Sequence, residues 1–267
     1  MTVVEVEESF VEPHVVTNLY INAGERYSVL LKADNPGCYG MSTTMLQRAG
    51  PYGNGTLVYS GVDCSNTTFM IGSNVVPFNP LDLHNLNKTS IPNATRSLNV
   101  NPRQVRNLTT TIISWTINDI VFKMPGTPLL LSDYYQETEY SPNTQILTVQ
   151  MGEVIDLVLV NQYRWDNTTQ EQHPWHLHGH SFWVLGTGVG TVVNDSLLNL
   201  VDPVKRDTFT LEQKHWAVIR FQANNPGTWL LHCHISYHVI MGMTVVISYP
   251  SSSLPSPPAG FPICGDI

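Results

Sequence analysis

The stretch GTWLLHCHISYHVIMGM, Gly227 to Met243, sets two imidazoles and a thiol in consecutive positions, His232, Cys233 and His234. In an extended strand successive side chains point to opposite faces, so His232 and His234 share one face while Cys233 projects from the other. One ion cannot readily collect all three. A Cys with a His and a more distant Met, here His238 and Met243, is the ligand set of a blue-copper electron-transfer centre, whereas paired imidazoles on the far face suit a separate copper. The segment reads as a strand wired between two metal sites.

About sixty residues earlier, HPWHLHGH (His173 to His180) repeats the logic. His176 and His178 have strand spacing and share a face, while His173 has the opposite parity. Pairing like with like groups His173, Cys233, His238 and Met243 around one copper, and groups His176, His178, His232 and His234 around another site or sites. Seven of the ten histidines fall in these two windows, which a scaffold role does not explain. His14, His84 and His215 read as ordinary core or surface residues. Zinc also takes Cys and His, but zinc sites rarely draw on a thioether, and the face argument requires more than one ion. A catalytic thiol wants one base and an oxyanion hole, not five imidazoles around it.

Composition agrees with an all-β chain: 42% hydrophobic residues, 18 Gly and 18 Pro, and little helical periodicity. A net charge of −8 without basic clusters argues against nucleic acid or anionic membrane partners, and no apolar run approaches a membrane span. Seven Asn-x-Ser/Thr sequons, at Asn54, Asn66, Asn87, Asn93, Asn107, Asn167 and Asn194, favour a secreted, extracellular glycoprotein. The segment after Met1 has no signal-peptide character, so the natural start is expected upstream. With Cys233 committed to metal, Cys38, Cys64 and Cys264 are an odd set for an oxidised chain. Cys38 and Cys64 are one way to close a loop, though sequence alone does not fix the connectivity.

Residues 1–75 hold alternating segments, VVEVEE, NLYINAG, RYSVLLKAD and GTLVYSG, too few to close a sandwich. A polar linker is expected over 76–90. From residue 91 a full set follows: SLNV, TTIISW, QILTVQ, EVIDLVLV, HSFWVLG, RDTFTL, HWAVIRF, GTWLLHCH and GMTVVIS, enough for one Greek-key sandwich over 91–267. Gly152 sits where a tight hairpin turn is wanted, and 125–143 reads as a long loop able to shape a rim. Asp207, in KRDTF, reads as a turn stabiliser.

The motifs HPWHLHGHSFWVLG (173–186), NNPGTWLLHCHISYHVIMGM (224–243) and SWTIND (114–119) resemble those of the C-terminal part of multicopper oxidases, most of all plant-type ascorbate oxidases, over nearly the whole chain. The resemblance implies a complete cupredoxin-like domain preceded by a partial one. It implies that His173, Cys233 and His238 are equatorial ligands and Met243 the axial ligand of a type 1 copper. It further implies that His176 binds the type 2 copper, and that His178, His232 and His234 bind the type 3 pair. In that family Cys233, His232, His234 and His238 carry electrons from a small reducing substrate toward dioxygen, with His238 as the electron input. The Trp matching Trp115 lines the substrate pocket, so Trp115 and His238 are the substrate candidates. Trp175 and Trp183 fit ascorbate oxidases better than laccases, whereas Ser181 replaces an expected Asp. Many laccases carry Leu or Phe where Met243 stands, and a weak thioether there lowers the copper potential.

The trinuclear cluster of this family takes eight histidines, of which four are present. The others, and the family's partner for a C-terminal Cys such as Cys264, belong to a first domain that this chain lacks. The expectation is therefore an oxidase portion that is inactive alone. The alternatives are a laccase or ferroxidase of the same family, and a non-enzymatic copper-binding fragment; homo-oligomerisation would cover the apolar faces of 1–75.

Overall fold

The computed structural model describes residues 1–45, 50–66, 78–88, 90–134, 140–162, 164–166 and 171–261. Its strands are β1 (Thr2–Val6), β2 (Ser9–Val15), β3 (Tyr27–Leu30), β4 (Cys38–Thr43), β5 (Gly53–Val58), β6 (Arg96–Val100), β7 (Pro102–Arg106) and β8 (Ile113–Ile117). They continue with β9 (Ile146–Thr148), β10 (Val154–Val160), β11 (His173–Leu177), β12 (Phe182–Val189), β13 (Lys205–Arg206), β14 (Thr208–Leu211), β15 (His215–Gln222), β16 (Thr228–Cys233) and β17 (Thr244–Ser248). Helices α1 (Leu129–Tyr134) and α2 (Ser236–Ile240) interrupt them. No described helix is long and apolar enough to cross a membrane.

Two five-stranded sheets, ordered β13-β12-β15-β10-β6 and β14-β11-β16-β17-β9, form the C-terminal sandwich. Alternation decides what each strand turns inward. Ile155, Leu157 and Leu159 of β10 and Ala217, Ile219 and Phe221 of β15 meet Trp175, Leu177, Leu231, Cys233, Val245 and Ile247 of the facing sheet in one core. The outer faces of β15 and β17 are covered too. Val218 and Trp216 pack with Leu185, and Val246 packs with Phe122 and Leu129.

The N-terminal residues form a sheet ordered β2-β1-β3 and a separate β4-β5 hairpin. Val3, Val6 and Val11 pack on Phe78, Leu83 and Val204. The Cys38 and Cys64 sulfurs are joined in a disulfide, whereas Cys264 lies outside the described residues. Met41, Tyr39, Leu57 and Val58 of the hairpin are exposed.

Three local expectations are corrected. NLYINAG (18–24) forms no strand, because its polar groups dock onto the sandwich: Tyr20 bonds Gln172, and Asn22 Oδ1 accepts from Gln172 Nε2 at 2.7 Å. Within the segment read as a linker, Phe78 and Leu83 are buried in the N-terminal cluster around a 3-10 turn at Pro80–Asp82. Residues 125–143 include α1, anchored through Asp133, which accepts from Ser248 Oγ at 2.8 Å. Gly152, at φ +84°, does mark a turn but no hairpin: β9 pairs with β17 in one sheet and β10 with β15 in the other. The turn carries the chain across the sandwich. Strand β7, polar at Arg103, Gln104 and Arg106, carries too little apolar signal to be seen in sequence.

Candidate metal centre

The site is built by the register between β11 and β16, which pairs Trp175 with Cys233 and His176 with His232. Odd-numbered side chains face the core and even-numbered ones the far side, so His173 and Cys233 are fully buried while His176 and His232 are half-buried. Beyond β16, α2 folds back. Its His238 is buried while Tyr237 and Ile240 face solvent. The Met243 backbone closes the loop, its N–H donating to His238 O at 2.9 Å and its carbonyl accepting from Cys233 N at 3.3 Å. The Met243 side chain lies in the same core as Cys233.

Three donor atoms converge. His173 Nδ1 and His238 Nδ1 are 3.2 Å apart, Cys233 Sγ is 3.4 Å from His238 Nδ1, and it is 3.8 Å from His173 Nδ1. Ligands about 2.0–2.3 Å from a central first-row ion in a trigonal plane stand roughly 3.5–4.0 Å from one another. The observed triangle is close to that size, and a thiol with two imidazoles is the donor set such an ion takes. Burial, followed by the neighbouring His238, lowers the His173 imidazole to about 3, and burial pushes the Cys233 thiol up to about 12. The metal-free pocket therefore holds a neutral thiol, and a bound cation must displace its proton. In the metal-free chain Cys233 is expected to resist iodoacetamide at pH 8 and to react once unfolded, read by peptide mass mapping. Rapid labelling of the folded chain would contradict the buried site.

Two neighbours border this donor set. Trp115 sits edge-on to His173 at 4.6 Å and near His238 at 5.0 Å between ring centroids. It is only 1% exposed, so it walls the metal site and offers no open contact surface in this chain. Nor is the His238 edge bare: its Nε2 lies 3.0 Å from Glu171 Oε2. Glu171 escaped the sequence reading; its signal is a carboxylate two residues before His173.

On the opposite face, the His176 ring lies 5.0 Å from His178, 5.7 Å from His232 and 5.6 Å from His234. His178 Nε2 and His232 Nε2 face each other at 2.9 Å. With its proton on Nδ1, His232 donates to the Cys233 carbonyl at 2.8 Å, which leaves Nε2 for a metal. This cluster is open: among the described residues, only His173, Cys233 and His238 bring three donor atoms within 4.8 Å of one another. Burial lowers His178 and takes His232 to about 4, so both are neutral donors near pH 7. His180 is scaffold, its Nε2 2.7 Å from the Tyr249 hydroxyl.

The support of this face comes from far along the chain. His176 Nδ1 lies 3.0 Å from both Asp207 O and Thr208 Oγ1 and 3.4 Å from the Asp207 carboxylate, so its Nε2 is the free donor. The hydrogen bond to the Asp207 carboxylate raises the His176 pKa. Asp207 is more than a turn stabiliser. It receives both terminal nitrogens of Arg26, at 2.9 and 2.6 Å, which help hold its carboxyl below the usual range against the opposing effect of burial. Glu7 accepts from the Asp207 and Thr208 backbone N–H groups at 2.5 and 3.0 Å. Buried Arg206 bridges Glu7 at 2.9 Å and Glu25 at 3.5 Å. Gly24, at φ +87°, leaves no room for a side chain against His234, since a Cβ there would lie 2.7 Å from its ring. Likewise Gly179, at φ +67° between His178 and His180, would drive a Cβ to 2.4 Å from the Trp229 ring.

Comparison with known proteins matches this architecture. Multicopper oxidase family models match residues 99–253 and 1–62. L-ascorbate oxidase of Cucurbita pepo var. melopepo is 30% identical over 93% of this chain and 52% of its own length. Laccase-6 of Oryza sativa subsp. japonica is 28% identical over 98% of this chain and 58% of its own. The chain thus spans about half the length of the curated relatives it matches. Among solved structures, Fet3p, a multicopper oxidase that functions in iron import, superposes with a TM-score of 0.80 at 24% identity, covering 94% of this chain and 51% of that one. The laccase from Botrytis aclada gives 0.77 at 23%, covering 96% and 48%; at these identities the likeness is one of fold. With the C-terminal sandwich, its buried thiol and both histidine clusters inside the longer family match, the chain belongs to the multicopper oxidase family.

Proposed function

We propose that the chain is the copper-bearing C-terminal portion of a secreted oxidase that takes electrons one at a time from a small reducing substrate, ascorbate-like in class, and delivers them to dioxygen. The observation that carries this reading is the single strand β16, which presents Cys233 to one donor set and His232 to the other. In this reading His173, Cys233 and His238, with Met243, would hold a type 1 copper. His176 serves a type 2 copper, and His178, His232 and His234 serve half of a type 3 pair. Copper, when bound, supplies one-electron redox chemistry at the first site and oxygen binding at the second. The chain supplies the path between them. His232 is bonded covalently to Cys233 and also donates to its carbonyl at 2.8 Å, so a through-bond and a hydrogen-bonded route run side by side. Glu171 fixes the outer nitrogen of His238 and orients the ring, so a reductant would approach that edge past the Glu171 carboxylate.

Residues 91–267 are taken as the complete domain and 1–75 as the end of a preceding one, with the remaining trinuclear ligands in a first domain. Secretion is supported by the exposure of Asn54, Asn66, Asn87, Asn93, Asn107 and Asn194; Asn167 lies outside the described residues. The carboxylate of Glu171 at the His238 edge favours a second reading, a cationic metal ion as reductant. The test is to load residues 1–267 with copper and measure copper content, blue absorbance and oxygen uptake with ascorbate and with ferrous ion. About one tightly held copper per chain, blue colour and no sustained turnover are expected. Three coppers with sustained turnover would overturn the divided-site reading. In a longer chain carrying a first domain, the preferred reductant decides between the two substrate classes.

A further inference from the structure

Away from the histidine clusters, a groove of about 860 Å³ opens between β7, the outer face of β10 and the segment after it. That volume is in the range of small-molecule sites. Three guanidinium groups, Arg103, Arg106 and Arg164, line it together with Trp165, and among the described residues no carboxylate is part of its walls. This is notable in a chain with 13 Lys and Arg against 21 Asp and Glu. Two of the arginines have acidic neighbours outside the groove, Asp119 at 2.8 Å from Arg103 and Asp166 at 3.9 Å from Arg164. Each pair engages only part of a five-donor fork. Arg106 instead lies with its central carbon 4.7 Å over the Trp165 ring. Stacking holds a guanidinium flat while leaving its in-plane N–H edge for a bidentate acceptor. Arg164 is set by Gln104, whose buried carboxamide oxygen accepts from its Nε at 3.1 Å.

We propose that this groove binds a small planar organic carboxylate, gripped by Arg106 and Arg164 and packed beside Trp165. A carboxylate matches the paired N–H edges, and a flat ring matches the indole and the apolar floor formed by Val158 and Val160. The position matters as well. Gln104 is the cross-strand partner of Trp115, the residue that walls His173 and His238, so an occupant lies one strand pair from the metal site. The proposal depends on the groove alone and not on copper.

The experiment is calorimetric titration of the copper-free 267-residue chain with 4-hydroxybenzoate and, separately, with its uncharged methyl ester. Saturable binding of the acid at one site, weakened about tenfold by Arg106→Gln or Arg164→Gln as expected for loss of a charge-assisted pair, and negligible binding of the ester support the site. Equal binding of acid and ester, no saturable binding of the acid, or unchanged affinity in both folded arginine variants overturns it. The acid and ester comparison uses the unaltered chain, so it decides the matter even where a variant does not fold. Its failure leaves the copper reading untouched.

Discussion

Replacing Cys233 with Ser abolishes the blue absorbance of the copper-loaded chain and weakens copper binding by more than about a hundredfold, given that losing even an outer support of a ligand costs tenfold to a hundredfold. The reason is the donor triangle. Cys233 Sγ stands 3.4 and 3.8 Å from the two imidazole nitrogens, and the soft thiolate is the donor that distinguishes such a site from an ordinary histidine pair. A buried hydroxyl with no partner costs the apo fold about 1–3 kcal/mol, so folding is followed separately by circular dichroism. Copper content and the visible spectrum give the answer, and a folded serine variant that stays blue would refute the site. Met243→Leu makes the contrast: colour is kept while the potential rises, because only a weak axial donor is removed. A lowered or unchanged potential in redox titration would count against axial ligation.

Arg206→Met should be the most destabilising single change outside the core. It strips the counter-charge from Glu7 and Glu25, whose carboxylates are almost completely buried beside it. Breaking such a pair costs about 3–5 kcal/mol, visible as a lower urea midpoint and as cleavage of the N-terminal segment in limited proteolysis. The pH dependence has a definite sign. Burial raises the Glu7 pKa, with Arg206 pulling it back down, so losing Arg206 raises it further. A carboxyl whose folded pKa exceeds its unfolded value is best accommodated below the unfolded pKa, and that stability is lost as pH rises through the folded value. The variant should therefore lose less near pH 4 than near pH 8, and Glu7→Gln added to Arg206→Met should restore part of the loss. An equal loss at both pH values would show that the carboxylates are not what Arg206 supports.

The C-terminal sandwich and the grouping of the histidines on two faces were legible because a period of two links sequence position to sheet face, with no knowledge of neighbours required. His173, His176, His232 and Cys233 lie as that parity demands, through the Trp175–Cys233 register. The failures share a cause. Asp207, Glu171, Arg206 and Glu7 act through contacts with residues remote in sequence, and a single charged residue gives no periodic signal of its partner. The NLYINAG segment has strand-like composition, but side-chain bonds to Gln172 hold it where strand pairing was expected. The turn at Gly152 was right as a turn and wrong as a hairpin, because local chemistry fixes a bend and only tertiary pairing decides which sheet follows it.

The distance along the chain between partners also sets an order of assembly. His173 and His238 are separated by 65 positions and Cys233 and His238 by 5, whereas the Glu7 grip on Asp207 and Thr208 spans 200 and 201. Contacts between distant segments form late, since the entropy of closing the long loop must be met before they contribute. The order expected in refolding is therefore the thiol pocket first and the support of His176 second. Copper offered early is expected to meet Cys233 first, with the His176 cluster gaining its support only when the N-terminal strands dock.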